Sequence, residues 1–174
     1  MFVVMEYLKG GELYDYWSRF KERRVPEMEA KEIMLQLSEA IDYCHVKKII
    51  HRDLKFQNIL LTEKIEELPT AKSGASNIHL KVVDFGIFGT NRGIIAEKSN
   101  AGSLRYMAPE VLQGRTGSDP KIDIWSMGVI LYSLVFGRYP FSNSNKEKLR
   151  QIICEKELTI KRVKVKPKAK RLQT

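Results

Sequence analysis

The sequence predicts a mainly α-helical domain of the α+β kind, with one small β-hairpin set among the helices. Three observations carry this prediction. Two long stretches, 27–48 and 119–137, show helical apolar patterning between start and stop signals. Two short apolar runs, 58–61 and 78–83, flank a polar segment containing Ser and Gly, as hairpin arms joined by a long surface loop do. An apolar fraction of 43% in 174 residues suffices for one domain with a sizeable core.

The opening "MFVVMEYL" is apolar and β-branched and suits one buried strand. "GGELYDYWSRF" then opens a short helix. Pro26 suits a first helical position, and the helix after it places Ile33, Leu37, Ile41 and Cys44 three or four residues apart, giving one buried stripe. If the hairpin arms are antiparallel, the start of the first and the end of the second share one end of the ribbon. Asn58 and Asp84 then become neighbours, although 26 positions apart. In "SDPKIDIWSMGVILYSLVFG", Asp119 is the cap, Pro120 the first turn and Gly137 the stop of a helix apolar on most faces and therefore buried. "SNSNKEKLRQIICEKEL" carries Ser144 and Glu147 at capping-box spacing, which starts a last helix. No internal repeat is visible.

Composition narrows the function classes. Cys44 and Cys154 are the only cysteines and no secretory leader pattern opens the chain, which points to a reducing, intracellular setting, cytoplasmic or nuclear. The longest nearly apolar run, 127–137, falls far short of the ~20 residues needed to cross a bilayer, so no membrane partner is expected. Of the net charge of +9, seven come from Lys161, Arg162, Lys164, Lys166, Lys168, Lys170 and Arg171, leaving +2 on the body. The body is no basic platform for nucleic acid, and the segment 158–174 reads as a basic, solvated tail.

Four motifs carry chemistry through their order: "HRDLKFQN" at 51–58, "DFG" at 84–86, "APE" at 108–110 and "DIWSMGVILY" from Asp123. Together they resemble the catalytic domain of the eukaryotic protein kinases over residues 1–157. The resemblance implies the large lobe of that fold, with the small lobe absent, and ATP and Mg2+ as its small molecules. It assigns the backbone near Glu6 and Leu8 to adenine, Glu12 to the ribose, Leu60 to the floor under the base and Met5 to the gate of the pocket behind it. Phosphoryl transfer has a loose transition state, so positioning and charge neutralisation do most of the catalysis. Asp53 is then the base for the substrate hydroxyl, Lys55 the cation on the moving phosphoryl group, and Asn58 and Asp84 the magnesium ligands. His51, Phe85, Gly86 and Asp123 hold this geometry.

The lysine two positions after Asp53 resembles the serine/threonine kinases, with Ser103 bridging aspartate and lysine. Ser99 falls where many kinases carry an activating phosphate, and Arg52 is the cation that pairs with it. "GGELYDY" and "WSMGVILYSLVFGRYPF" look most like the calcium/calmodulin-dependent and AMP-activated group. The departures are equally specific. The chain lacks G-x-G-x-x-G, the Gly10-Gly11 pair having the wrong spacing, and lacks the strand lysine and helix glutamate of the small lobe. The arginine that pairs with the glutamate matching Glu110 is also missing, Gln57 replaces a glutamate that reads basic substrate residues, and Phe88 stands where a small residue is common. The expectation is a serine/threonine kinase fragment, moving the ATP γ-phosphate to protein hydroxyls in the intact family and weak or inactive alone. Uncovered apolar surface would suit a small-lobe or regulatory partner. The competing expectation is a catalytically incompetent binding module that holds substrates or partners.

Overall fold

The computed structural model describes residues 2, 4–66, 78–85, 101–115, 119–158 and 160. Strands β1 (Gly11–Glu12), β2 (Ile59–Leu61) and β3 (Leu80–Val82) form an antiparallel sheet in that order. The helices are α1 (Leu13–Ser18), α2 (Glu27–Val46), α3 (Ala101–Leu104), α4 (Pro109–Leu112), α5 (Lys121–Phe136) and α6 (Lys146–Glu155). Single 3-10 turns occupy Lys21–Arg23 and Phe56–Asn58.

The hairpin forms as expected, with Ile59 opposite Val82 and Leu61 opposite Leu80. The opening strand does not. Phe2, Val4, Met5 and Tyr7 are 74–100% exposed, and the first backbone pairing to the sheet is Lys9 N–H to the Thr62 carbonyl, 3.2 Å. A strand needs a neighbour for its amide and carbonyl groups, and among the described residues none runs alongside residues 4–8. Gly10 has a different duty from phosphate binding. A Cβ there would lie 2.4 Å from Leu61 Cβ and 2.5 Å from the Leu61 carbonyl oxygen, so only glycine lets the chain close onto β2.

Helix α2 buries the expected stripe: Ile33, Leu37 and Ile41 are each at most 2% exposed, worth ~1.5–3 kcal/mol apiece in removed apolar surface. Pro26 stands one residue earlier than expected, at the N-cap with extended ψ, because its fixed φ serves either position. The phenol of Tyr16 donates to Glu29 Oε1 at 2.7 Å, which satisfies a carboxylate only 3% exposed. Trp17, from α1, stacks on Phe56 with ring centroids 4.9 Å apart and so ties α1 to the segment before β2.

Helix α5 starts at Lys121 with Pro120 as N-cap, while Asp119 Oδ1 accepts from Lys121 N–H at 2.9 Å. Its stop is Gly137 at φ 69°, where a Cβ would meet the Glu22 carbonyl oxygen at 1.9 Å. The expectation that α5 is buried all round needs correcting. One side enters the core through Ile122, Met127, Ile130 and Leu134, whereas Ile124, Leu131 and Val135 are 39–54% exposed. The open side lines an apolar groove of about 490 Å3 with Trp125, Phe141, Leu158 and Ile160. Helix α6 also starts one residue later than the capping-box reading. Asn145, an equally strong cap, accepts from Lys148 N–H at 3.0 Å. Leu149 and Ile153 of α6 close a second small core with Leu104, Leu112 and Phe141. Among the described residues, no helix is long and apolar enough to cross a membrane.

Candidate active site

The segment 51–58 is pinned by alternation. Leu54 and Phe56 are 1% and 0% exposed, so the residues that alternate with them, Asp53, Lys55 and Gln57, are held at the surface of the core, half-buried. His51, wholly buried, bridges this segment to β3's exit. Its Nδ1 accepts from Asp53 N–H at 3.3 Å, which fixes the proton on Nε2, and Nε2–H donates to the Val83 carbonyl at 2.9 Å. Phe85 lies against the same ring with centroids 4.7 Å apart, although Phe85 itself is 37% exposed.

Asp123 anchors the whole segment from the first turn of α5. Its carboxylate, 1% exposed, accepts from His51 N–H at 2.9 Å and Arg52 N–H at 2.8 Å, and Oδ2 is 2.8 Å from His45 Nε2. These bonds hold Arg52 at φ 71°, a left-handed conformation that a non-glycine residue reaches only at a cost of ~1–3 kcal/mol. Sequence reasoning named Asp123 but missed His45 beside it. The signal was present, because His45 lies one residue after Cys44 at the end of the buried stripe of α2.

Lys55 Nζ donates to Asp53 Oδ2 at 2.7 Å. Asn58, 4% exposed, donates through Nδ2 to the Asp53 carbonyl at 2.8 Å and to Asp53 Oδ2 at 3.2 Å. Three of the expected residues are therefore one hydrogen-bonded set. Beyond the Ile59–Val82 pair, Val83 N–H donates to the Asn58 carbonyl at 2.9 Å, so Asp84 follows directly at Asn58's end of the ribbon, exposed and at φ 57°. Ser103 is half-buried on α3, and among the described residues its hydroxyl bonds neither Asp53 nor Lys55, which pair directly. Glu110 forms no ion pair among the described residues, and the Arg150 guanidinium donates instead to the Leu112 carbonyl. Gly86, Phe88, Ser99, residues 67–77 and the tail from 161 lie outside the described residues.

Alternation along the sheet also builds a cleft. Glu12, Leu60 and Lys81 stand side by side on successive strands, while Ile59 and Leu61 point to the core. Met5, Glu6, Leu8, Glu12, Leu60 and Asp84 all line one open cleft of about 600 Å3, whose wall Gln57 and 81–83 complete. Lys81, which sequence reasoning passed over, reaches both oxygens of Glu6 at 2.6 and 2.7 Å. Partial burial, and then the Asp15 carboxylate, push the Glu12 carboxyl above its ordinary value against the pull of Lys55.

Asp84, in the cleft's lining, and Asn58, at the same end of the hairpin, offer oxygens of the kind a hard divalent cation takes. Asp84 offers a carboxylate, and Asn58 uses only its Nδ2 in the bonds above, leaving its side-chain carbonyl as an acceptor. No group of three or more His, Cys, Asp or Glu suited to a metal occurs among the described residues. Any ion there would draw its remaining ligands from phosphate and water, as Mg2+ does.

Residues 1–174 match the family model described as the protein kinase domain. The chain is also similar to the carbon catabolite-derepressing protein kinase of Secale cereale, 41% identical over 145 residues, which cover 83% of this chain and 26% of the relative. The chain thus spans about a quarter of the length of the curated relative it matches.

Proposed function

Because the chain belongs to the protein kinase domain family, we propose that it forms the large-lobe side of a serine/threonine phosphotransfer site, with the nucleotide in the cleft of Glu6, Leu8, Glu12 and Leu60. One observation carries this reading: the hydrogen-bonded set Asp53–Lys55–Asn58 stands beside a cleft whose lining includes Gln57 and Asp84. An apolar floor at Leu60 suits a base, and the polar rim at Glu12 suits a ribose.

In this reading Asp53 orients the acceptor hydroxyl and takes its proton, because its Oδ1 is free of the Lys55 and Asn58 bonds that hold Oδ2. Lys55 neutralises negative charge at the transferred group and meanwhile fixes the Asp53 rotamer. Asn58 and Asp84 hold the cation, which neutralises phosphate charge when bound. His51 and Asp123 keep the segment in register. The Lys55 position, two residues after Asp53, favours protein serine and threonine hydroxyls over tyrosine. The small lobe, with a glycine loop and a lysine–glutamate pair, lies on this reading outside these residues.

The test is transfer of labelled γ-phosphate from ATP to a serine peptide by the chain joined to a kinase small lobe. Asp53→Asn should cut the rate by about 10²–10⁴-fold at unchanged nucleotide affinity. An unchanged rate would remove Asp53 from the role of base.

A further inference from the structure

Arg105 follows α3 and directly precedes Tyr106, which packs beneath the catalytic segment. Its neighbour Tyr106 packs edge-on against Phe56, centroids 6.3 Å apart, and hydrogen-bonds Tyr139 through the two phenol oxygens, 3.2 Å apart. The Arg105 guanidinium lies over the Tyr139 ring, 4.7 Å from its centroid. Among the described residues it makes no ion pair and no hydrogen bond, and its Nε is buried without a partner. Only Nε is sealed off, so the terminal nitrogens reach solvent. Stacking uses the face of a guanidinium and leaves its edge of N–H donors, the part that matches a carboxylate.

The surroundings extend this charge. Tyr139 also lines an open cleft of about 600 Å3 together with Arg23, Arg138 and Lys156, with Glu157 as its one acid. Arg23 also stacks on an aromatic ring, 5.2 Å from the Trp17 centroid. The nearby Glu22 is taken by Arg24 at 3.5 Å. Toward the nucleotide cleft, Gln57 is neutral. A polypeptide lying over Arg105 and along the cleft of Arg23, Arg138 and Lys156 therefore meets four cations and, in that cleft's lining, one acid.

We propose that Arg105, with Arg23, Arg138 and Lys156 around the adjoining cleft, reads an acidic stretch of the protein that presents its serine or threonine to Asp53. This rests on the phosphotransfer reading above and names its substrate class: acceptors flanked by Asp or Glu rather than Lys or Arg.

Two fluorescent serine peptides of equal length, one with acidic and one with basic flanks, are titrated into the full chain by anisotropy at low and high salt. The acidic peptide should bind about tenfold more tightly, and the margin should shrink in salt. Arg105→Glu should reverse the preference, and Arg105→Ala should reduce it by about fivefold. Arg138→Glu, at an exposed position that carries no core contact, should weaken acidic-peptide binding even if Arg105 variants fold poorly. Equal affinities, a basic preference, a margin indifferent to Arg105 and Arg138, or no binding of either peptide would overturn the proposal. Magnesium-dependent ATP binding by the same wild-type sample reports separately on the phosphotransfer reading.

Discussion

Replacing Asp123 tests how the catalytic segment is held. The carboxylate accepts from two main-chain amides, His51 and Arg52, and pairs with His45, all at 2.8–2.9 Å in a site 1% exposed. Hydrogen bonds to a charged acceptor contribute ~1.5–3 kcal/mol each, and a buried amide left without an acceptor costs ~1–3 kcal/mol. Asp123→Ala orphans both amides and frees Arg52 to leave φ 71°. Its cost should therefore be about 3–6 kcal/mol, a large share of the ~5–15 kcal/mol of a typical domain. Asp123→Asn keeps one acceptor oxygen but turns an NH2 toward the other donor, so its cost should be about half that. Urea unfolding followed by the fluorescence of Trp17 and Trp125 measures both variants, with m required to stay constant. A loss below about 1 kcal/mol for Asp123→Ala at constant m would refute the anchoring role.

Gly137→Ala forces a Cβ to within 1.9 Å of the Glu22 carbonyl at φ 69°; it should destabilise by more than ~1–2 kcal/mol in the same unfolding assay. Tyr16→Phe leaves Glu29 buried without its 2.7 Å donor; it should cost about 1–3 kcal/mol, a loss recovered in part by Glu29→Gln in the same background. Burial pushes both thiols, Cys44 and Cys154, above the ordinary cysteine value, so fewer are thiolate at pH 8. Maleimide labelling of the native chain should then be slower than that of the urea-unfolded chain, with the gap narrowing as pH rises.

Much of this fold is legible from local signals. The stripe of α2, the Gly137 stop and the hairpin each follow from patterns that neighbouring residues settle among themselves. The alternation that sends Leu60 to the cleft and Ile59 and Leu61 to the core is of the same kind. The misplaced parts depend on partners. The opening stretch has strand composition but no neighbour to pair with, so Phe2 and Val4 stay exposed. Helix α5 is apolar on most faces, and composition alone does not say which face meets the core and which is left lining a groove. At the site, the order of the motifs gave Asp53, Lys55, Asn58 and Asp84, and hairpin register explained how distant residues meet. His45, Lys81 and Arg105 went unread because their roles arise from contacts 78, 75 and 34 positions away in sequence, with Asp123, Glu6 and Tyr139.

The most direct test of the phosphotransfer site is calorimetric titration of the chain with ATP, with and without Mg2+, in wild type and Asp84→Asn. A cleft built from one side should bind weakly, with a Kd on the order of 1 mM. Binding should require Mg2+ and be lost in Asp84→Asn. ATP binding indifferent to both magnesium and Asp84, or no binding in any condition, would contradict the account.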